Sequence, residues 1–353
     1  MTSDHIQTLL LCALPASGKS ETRKFLSSLA PEDLRTSFKI AQTVQLDDYP
    51  YVDVMKKVDA ALESIIGTAR ARMFYPHPDE LFFHKEDWET LIHLLNEDYD
   101  DLIDRPARPE VDSGRWMCER LDRAREKTGA YQTWGEGQAS EGGRATRILS
   151  LPEGVLEQLY AVLRPTTDVL MREKYDCFPE TLEDKTVVIE FARGGSQGSE
   201  MPLKPPMGYE YSFSCLSDRI LSGAAVLYVW VTPEMSRAKN IARAQEKAGD
   251  AATSANLSLN HGVPEIVMLQ DYGVDDIEYL LEKSGVANAV MVASKASGRP
   301  FVIPLSRFDN REDLTTFARS PQVEWAKDDV DRIRAAFEHC FGGLTEQYTA
   351  LHG

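Results

Sequence analysis

A chain of 353 residues in which 42% of the side chains are hydrophobic can bury a large core, as one large domain with insertions or as two domains. Its formal net charge of −17 opposes non-specific attraction to nucleic acid or to an anionic membrane, so any phosphate group has to be bound by a local basic site. Five scattered cysteines indicate neither a zinc site nor a disulfide framework, and no apolar run approaches the roughly 20 residues of a membrane span. We therefore expect a soluble, cytoplasmic protein that binds neither nucleic acid nor membrane.

The first predicted elements are a strand, a tight turn and a helix. An apolar run over residues 7–14 leads into the turn 15–20, and apolar residues follow at helical spacing over 21–29. This layout matches the phosphate-binding loop G-x-x-x-x-G-K-[ST], with Ala13 at the first glycine position. In such a loop backbone N–H groups point at a phosphate, the lysine reaches its oxygens and the hydroxyl binds Mg²⁺. The alternative is a solvated Ser-Gly-Lys-Ser turn that arose by chance.

The same segment resembles the opening of the P-loop kinases, the superfamily of nucleotide, nucleoside and small-molecule kinases. The resemblance implies an α/β fold of the P-loop NTPase type, with three layers (α/β/α) around a mainly parallel central sheet. It also implies that ATP and Mg²⁺ are the cofactors. The residues that it assigns to ATP are Ala13, Pro15, Ala16, Ser17, Gly18, Lys19, Ser20 and Glu21. It further assigns Ser20 to Mg²⁺, and Lys19 to charge on the transferred phosphoryl group.

A second strand is predicted over residues 38–46, and it ends on Asp47, Asp48 and Tyr49. Ligands of open α/β sheets bind at the carboxyl ends of strands, where a carboxylate could accept the proton of an acceptor hydroxyl. Asp-Asp-Tyr is similar to the Asp-Asp-Phe of uridine-kinase-like enzymes, whose first aspartate is the base. This resemblance implies that Asp47 is the base or supports the metal, and that Asp48 and Tyr49 contact the substrate. The alternative is an ordinary polar strand end.

Helical spacing predicts helices over 52–72, 86–103 and 151–175. We interpret the mostly polar residues 76–150 as an inserted lid or specificity subdomain within a single domain that spans 1–353. Residues 129–143, rich in Gly, Gln and Ser, predict a mobile surface loop. The alternative for the insertion is decoration that only packs.

The β-branched run 187–189 leads into Glu190 and predicts a buried parallel strand with a carboxylate at its tip. A carboxylate at its end could hold Mg²⁺ or orient the reacting groups, as in a Walker-B strand. Glu-Phe-Ala-Arg loosely resembles the Glu-Arg-Ser element of deoxynucleoside kinases, which implies a substrate contact for Arg193. The alternative is that Glu190 and Arg193 pair with each other. Residues 194–214 are predicted to be a loop that could fold over the substrate.

The most apolar stretch, residues 224–231, predicts a strand at the centre of the sheet, and Pro233 begins a helix after it. Arg237, Asn240 and Arg243 share one face of this helix. The stretch resembles the lid helix of nucleotide and zeta-toxin-like kinases, which implies that both arginines neutralise charge in the transition state. The alternative is that these basic residues lie on an exposed helix surface.

The rest of the chain predicts a flexible loop over 249–260, a helix over 275–283 and a closing helix over 328–351. It also predicts strands over 289–293 and 299–306, as a hairpin or a late addition to the sheet. The motifs together predict an ATP-dependent phosphotransferase that acts on a hydroxyl of a small molecule, such as a nucleoside, a nucleotide or a sugar. Two alternatives remain: a nucleotide-binding NTPase or switch that acts on a protein partner, and a zeta-toxin-like kinase. The pattern fixes neither the acceptor nor the oligomeric state.

Overall fold

The computed structural model describes residues 5–128, 147–245 and 262–352. Within these ranges the chain forms six β-strands and twelve α-helices. The strands are β1 Thr8–Cys12, β2 Gln42–Asp47, β3 Lys185–Phe191, β4 Ala224–Trp230, β5 Ala289–Ala293 and β6 Pro300–Asp309. The helices are α1 Lys19–Ser28, α2 Pro31–Phe38, α3 Tyr49–Ile66, α4 Asp87–Asp104, α5 Ser113–Thr128, α6 Glu153–Asp176, α7 Gly208–Ser214, α8 Asp218–Leu221, α9 Pro233–Gln245, α10 Glu265–Gln270, α11 Ile277–Ser284 and α12 Lys327–His352. The loops predicted over 129–143 and 249–260 lie outside the described residues.

The chain divides into two compact units, of which the first comprises Met1–Asp47 with Pro179–Gly353 and the second Asp48–Phe178. The first unit holds the sheet, in the strand order β2-β3-β1-β4-β6-β5. All neighbouring strands are parallel except β5, which pairs with β6 in the antiparallel direction. The protein is therefore α/β with a mainly parallel sheet, as the sequence predicts, and it is compatible with three layers.

Strand β1 lies inside the sheet, between β3 and β4. All of its residues are buried, which agrees with an apolar run that shows no alternation of polar side chains. Below it, Phe25 of α1 and Phe38 of α2 pack with Phe337 and Phe341 of α12 in one apolar core. The rings of Phe38 and Phe341 are 5.3 Å apart at their centroids. This core fixes α1, and with it the turn that precedes α1, against the sheet.

Two elements of the first unit differ from their predictions. Residues 31–38 form helix α2, which begins with Pro31 at a position where proline is favoured, so the second strand begins only at Gln42. Part of the loop predicted over 194–214 is helix α7, in which Tyr209 is buried. The Asp276 carboxylate caps α7 by accepting the N–H groups of Tyr209 and Glu210, at 2.6 and 3.0 Å. A cap from a distant residue stabilises a short helix that local sequence does not indicate.

The second unit contains α3 to α6, and it includes the whole of the segment predicted as an insertion, residues 76–150. It begins earlier, at Asp48. Helix α5 packs against α4 and α6, and α3 packs against α6. The buried Asp98 carboxylate accepts hydrogen bonds from Tyr51, from Arg120 at 2.7 Å and from Lys174 at 2.6 Å. Its charge is therefore compensated within the helical unit.

Among the helices in the described ranges, none combines the length and the apolar character needed to cross a membrane.

Candidate functional site

The turn between β1 and α1, residues 13–18, lies at the carboxyl end of β1. Ala16 and Gly18 have positive φ angles of 58° and 100°. A Cβ atom on Gly18 would lie 2.3 Å from the Thr315 hydroxyl and 2.4 Å from the Asn310 amide nitrogen. Glycine is therefore required both by the positive φ angle and by the lack of space for a side chain. Gly18 caps α1 without a side-chain hydrogen bond, and the first N–H groups of a helix have no acceptor within it. The start of α1 thus offers hydrogen-bond donors at the carboxyl end of β1.

Tyr209 fixes the point at which β1 enters the turn. Its hydroxyl donates to the Ala13 carbonyl at 3.0 Å and accepts the Ala13 N–H at 2.9 Å. Ala13 is not among the described residues with positive φ, so its Cβ is tolerated where the motif has glycine. Tyr209 is fully buried and lies far along the chain, and the motif gave no sign of its contact.

Two further side chains hold the turn through its carbonyl groups. The Asn310 amide donates to the Ser17 carbonyl at 2.7 Å, and the Ser236 hydroxyl donates to the Pro15 carbonyl at 2.7 Å. Asn310 also donates to Thr315 at 2.8 Å. The Ser17 hydroxyl is buried and has no hydrogen-bond partner in the described structure. The backbone of the turn is therefore anchored, while the hydroxyl of Ser17 is unsatisfied.

Lys19, Ser20 and Glu190 form the centre of the candidate site. The Lys19 ammonium and the Ser20 hydroxyl both donate to Oε1 of Glu190, at 3.0 and 2.8 Å. Burial by itself would raise the pKa of Glu190, but the charges of Lys19 and Arg23 outweigh it and lower this pKa to about 2. Glu190 is thus a buried, ionised carboxylate that faces the start of α1. The predicted meeting of the lysine, the hydroxyl and the strand-end acid is present in the structure.

Asp47 lies beside Glu190, because the two residues are register partners in the parallel pair β2 and β3. Arg23 connects them: one nitrogen, Nη1, lies 3.4 Å from Oδ2 of Asp47 and 3.2 Å from Oε2 of Glu190. Arg23 was not predicted from the sequence. A signal was available, since Arg23 follows Lys19 and Ser20 by four and three residues and therefore shares their helix face.

Glu21, on the first turn of α1, forms a separate ion pair with Arg243 of α9. The Glu21 side chain is 1% exposed, and its Oε1 accepts from Arg243 at 3.0 Å and from Arg319 at 2.7 Å. The Arg243 side chain is 9% exposed, so the alternative of a solvated surface arginine is wrong at this position. The physical reason is the buried Glu21 carboxylate, which draws two guanidinium groups inward. Arg319 was not predicted.

The other predicted site residues have different surroundings. Arg237 pairs with Glu234 on its own helix, at 3.2 Å. The guanidinium of Arg193 lies over the ring of Phe191 at 5.4 Å and donates to the neighbouring Ala192 carbonyl. Asp48 and Tyr49 begin the second unit, where Asp48 is the N-cap of α3. The contacts therefore join Lys19, Ser20, Asp47 and Glu190 in one cluster and Glu21 with Arg243 in another.

The described residues contain no group of three His, Cys, Asp or Glu side chains arranged to hold a metal ion. Mg²⁺ is commonly held by only one or two carboxylates, with phosphate oxygens and water completing its octahedron. The pair Asp47 and Glu190, with the Ser20 hydroxyl, fits that smaller requirement. These three residues would not suffice for a metal ion whose ligands all come from the protein.

Comparisons of the chain with protein-family models, with curated proteins and with solved structures found no match. Similarity therefore does not show a family for this chain. Its function has to be inferred from the cluster around Glu190 and from the turn in front of it.

Proposed function

We propose that this chain is an ATP-dependent phosphotransferase, a P-loop kinase with a three-layer α/β/α domain, acting on a hydroxyl of a small molecule. The observation that carries the proposal is the meeting of Lys19 and Ser20 on one oxygen of Glu190. These residues come from the first turn of one helix and the end of a strand beside β1. The carboxyl ends of parallel strands are where ligands of open α/β sheets bind.

The residues present fit a nucleotide and its metal. The N–H groups at the start of α1 would receive a phosphate, as at other helix N-termini. Ser20 and Glu190 would hold Mg²⁺, while Asp47 serves the acceptor hydroxyl. The buried Ser17 hydroxyl without a partner supports the presence of a ligand at the turn. MgATP, when bound, would supply the phosphoryl group and neutralise part of its charge.

The residues of the cluster have distinct roles in the proposal. Lys19 turns from Glu190 toward phosphate oxygens and stabilises their charge during transfer. Asp47 orients the acceptor hydroxyl or takes its proton. Arg237 and Arg243 are proposed to complete the charge stabilisation. For Arg243 this requires it to leave Glu21, which would keep its contact with Arg319.

The test combines nucleotide binding with transfer. Calorimetry measures MgATP affinity, and ADP release is followed with a panel of nucleosides, nucleotides and sugars. Lys19→Ala is expected to weaken MgATP binding roughly 10–100-fold, the loss of about 1.5–3 kcal/mol for a charged hydrogen bond, and to abolish transfer. The matched control is Lys327→Ala, whose side chain is 88% exposed and which should leave both measurements unchanged.

Asp47→Asn separates the base from the nucleotide site. It is expected to preserve MgATP affinity and to lower transfer by roughly 10²–10⁴, the usual contribution of a positioned base. A collapse of affinity with normal turnover at saturation would instead place Asp47 with the metal. Unchanged binding and turnover in Lys19→Ala would refute the proposal. Hydrolysis that requires a protein partner would favour the NTPase switch, and growth arrest relieved by a small partner would favour the toxin.

A further inference from the structure

We propose that Arg23 is a positioning residue of this site, which holds the carboxylates of Asp47 and Glu190 together at the ends of β2 and β3. The part that concerns phosphoryl transfer rests on the proposed function. The part that concerns the bridge between the two acids rests on the geometry alone.

The first observation is that one guanidinium nitrogen serves both acids. Nη1 of Arg23 lies 3.4 Å from Asp47 and 3.2 Å from Glu190, on different strands. The Arg23 side chain is 8% exposed, and the Asp47 and Glu190 side chains are 11% and 2% exposed. At such burial an ion pair is screened far less by solvent than a surface pair is. The bridge is therefore an internal part of the site.

The second observation is that the sheet itself forces the two acids together. Asp47 and Glu190 are register partners on adjacent parallel strands, which lie about 4.8 Å apart. Two carboxylates at one register position repel each other unless a cation lies between them. Arg23 reaches that position from the face of α1 that also carries Lys19 and Ser20.

The third observation concerns the balance of charge when the site works. Glu190 has two cationic partners, Lys19 and Arg23, at 3.0 and 3.2 Å. The proposed function requires Lys19 to turn toward phosphate, which removes one of them. Arg23 then remains as the bridge between Glu190 and Asp47. Guanidinium suits this role, because it stays charged and its several N–H groups have a fixed, planar arrangement.

The consequence is a division between binding and turnover. Arg23 does not belong to the turn that would receive the phosphates, so Arg23→Ala should change the KM for ATP little. Losing the bridge lets the two acids move apart, and a displacement of about 1 Å in a reacting group can cost about 10²-fold in rate. We expect kcat to fall by about that factor, and Arg23→Lys to recover part of it, because an ammonium restores the charge without the planar fork.

The experiment has one arm that needs no activity. The melting temperature of the nucleotide-free protein is measured for Arg23→Ala in the natural background and in an Asp47→Asn, Glu190→Gln background. Arg23→Ala should lower it clearly in the first background and much less in the second, where no carboxylates need a bridge. Arg23→Lys is carried through the same cycle, so that the comparison survives if the alanine variant does not fold. Arg35→Ala, whose pair with Asp184 is exposed, is the matched control.

Equal losses of melting temperature in both backgrounds would show that Arg23 only packs, and would overturn the inference. An unchanged kcat in Arg23→Ala would overturn its catalytic part, and so would a lysine variant no better than alanine. If the natural protein transfers phosphate to no acceptor, the proposed function fails, whereas the melting cycle still reports whether Arg23 bridges the acids.

Discussion

Replacing Arg243 by alanine is expected to destabilise the protein, because this arginine is one of two partners of a buried carboxylate. Glu21 is 1% exposed, and its Oε1 receives Arg243 at 3.0 Å and Arg319 at 2.7 Å. A helix with arginines at its surface would tolerate the same change within about 0.5 kcal/mol. The two readings of α9 therefore differ in a measurable quantity, the free energy of unfolding.

The size of the effect follows from what remains after the change. Removing the sole partner of a buried charge costs about 3–5 kcal/mol, which is the upper limit here. Arg319 stays beside Glu21, so the carboxylate keeps one cationic partner. The expected loss is then that of one charged hydrogen bond, about 1.5–3 kcal/mol. In a folding unit of 150–250 residues each kcal/mol lowers the melting temperature by about 2–4 °C.

The assay is urea denaturation of Arg243→Ala, of Glu21→Gln and of the double variant. The double variant should lose less than the sum of the single losses, because both changes remove the same contact. Arg237→Ala is the matched control on the same helix, since its partner Glu234 is 74% exposed and such pairs contribute about 1 kcal/mol or less. If Arg243→Ala loses no more than this control, or if the losses simply add, the buried pair does not stabilise the fold.

Two further changes test other buried groups. Asp275 accepts the Tyr228 hydroxyl at 2.7 Å, and burial raises its pKa to about 6, above the value of about 3.9 in an unfolded chain. Ionisation of Asp275 therefore lowers the stability of the folded protein as the pH rises from about 4 to about 6. Asp275→Asn removes this loss, so the stability of the variant relative to the natural protein should be greater at pH 8 than at pH 4. An equal difference in urea midpoint at both pH values would contradict this. Asn310→Ala should weaken MgATP binding as well as the fold, because the amide holds the Ser17 carbonyl at 2.7 Å, whereas Asn240→Ala, whose buried amide holds Val263, should weaken only the fold. Equal MgATP affinities, measured by calorimetry, in both asparagine variants would contradict the role of Asn310.

The sheet and the centre of the site were accessible from the sequence. The apolar runs of β1, β3 and β4 predict interior parallel strands, and such strands end at one edge of the sheet. Glu190 could therefore be placed near Lys19 although it lies far along the chain. Local spacing was sufficient to predict this contact, because the parallel pairing of β1 with β3 brings Glu190 to the end of β1 that leads to Lys19.

What could not be predicted are contacts in which a side chain reaches the backbone of a distant segment. Tyr209 and Asn310 fix the turn through the backbone groups of Ala13 and Ser17. Because every residue carries the same carbonyl group, the sequence does not indicate which carbonyl a distant side chain will contact. The burial of Arg243 has a similar cause, because arginine is exposed by default unless a partner is known. Its partner Glu21 lies far away along the chain, and the sequence does not show that α1 and α9 bring the two residues together.

The position of β1 has a consequence for the order in which the chain folds. Thr8 pairs with Val187 on one side and with Ala224 on the other, so both neighbours of β1 are synthesised after the whole of Asp48–Phe178. At about 5–20 residues per second a ribosome needs on the order of ten seconds or more to supply them. Helices α3 and α6 pack against each other and carry the two ends of the second unit. If this unit folds first, it draws Asp47 and Pro179 together and shortens the loop that β1 must close to find its partners.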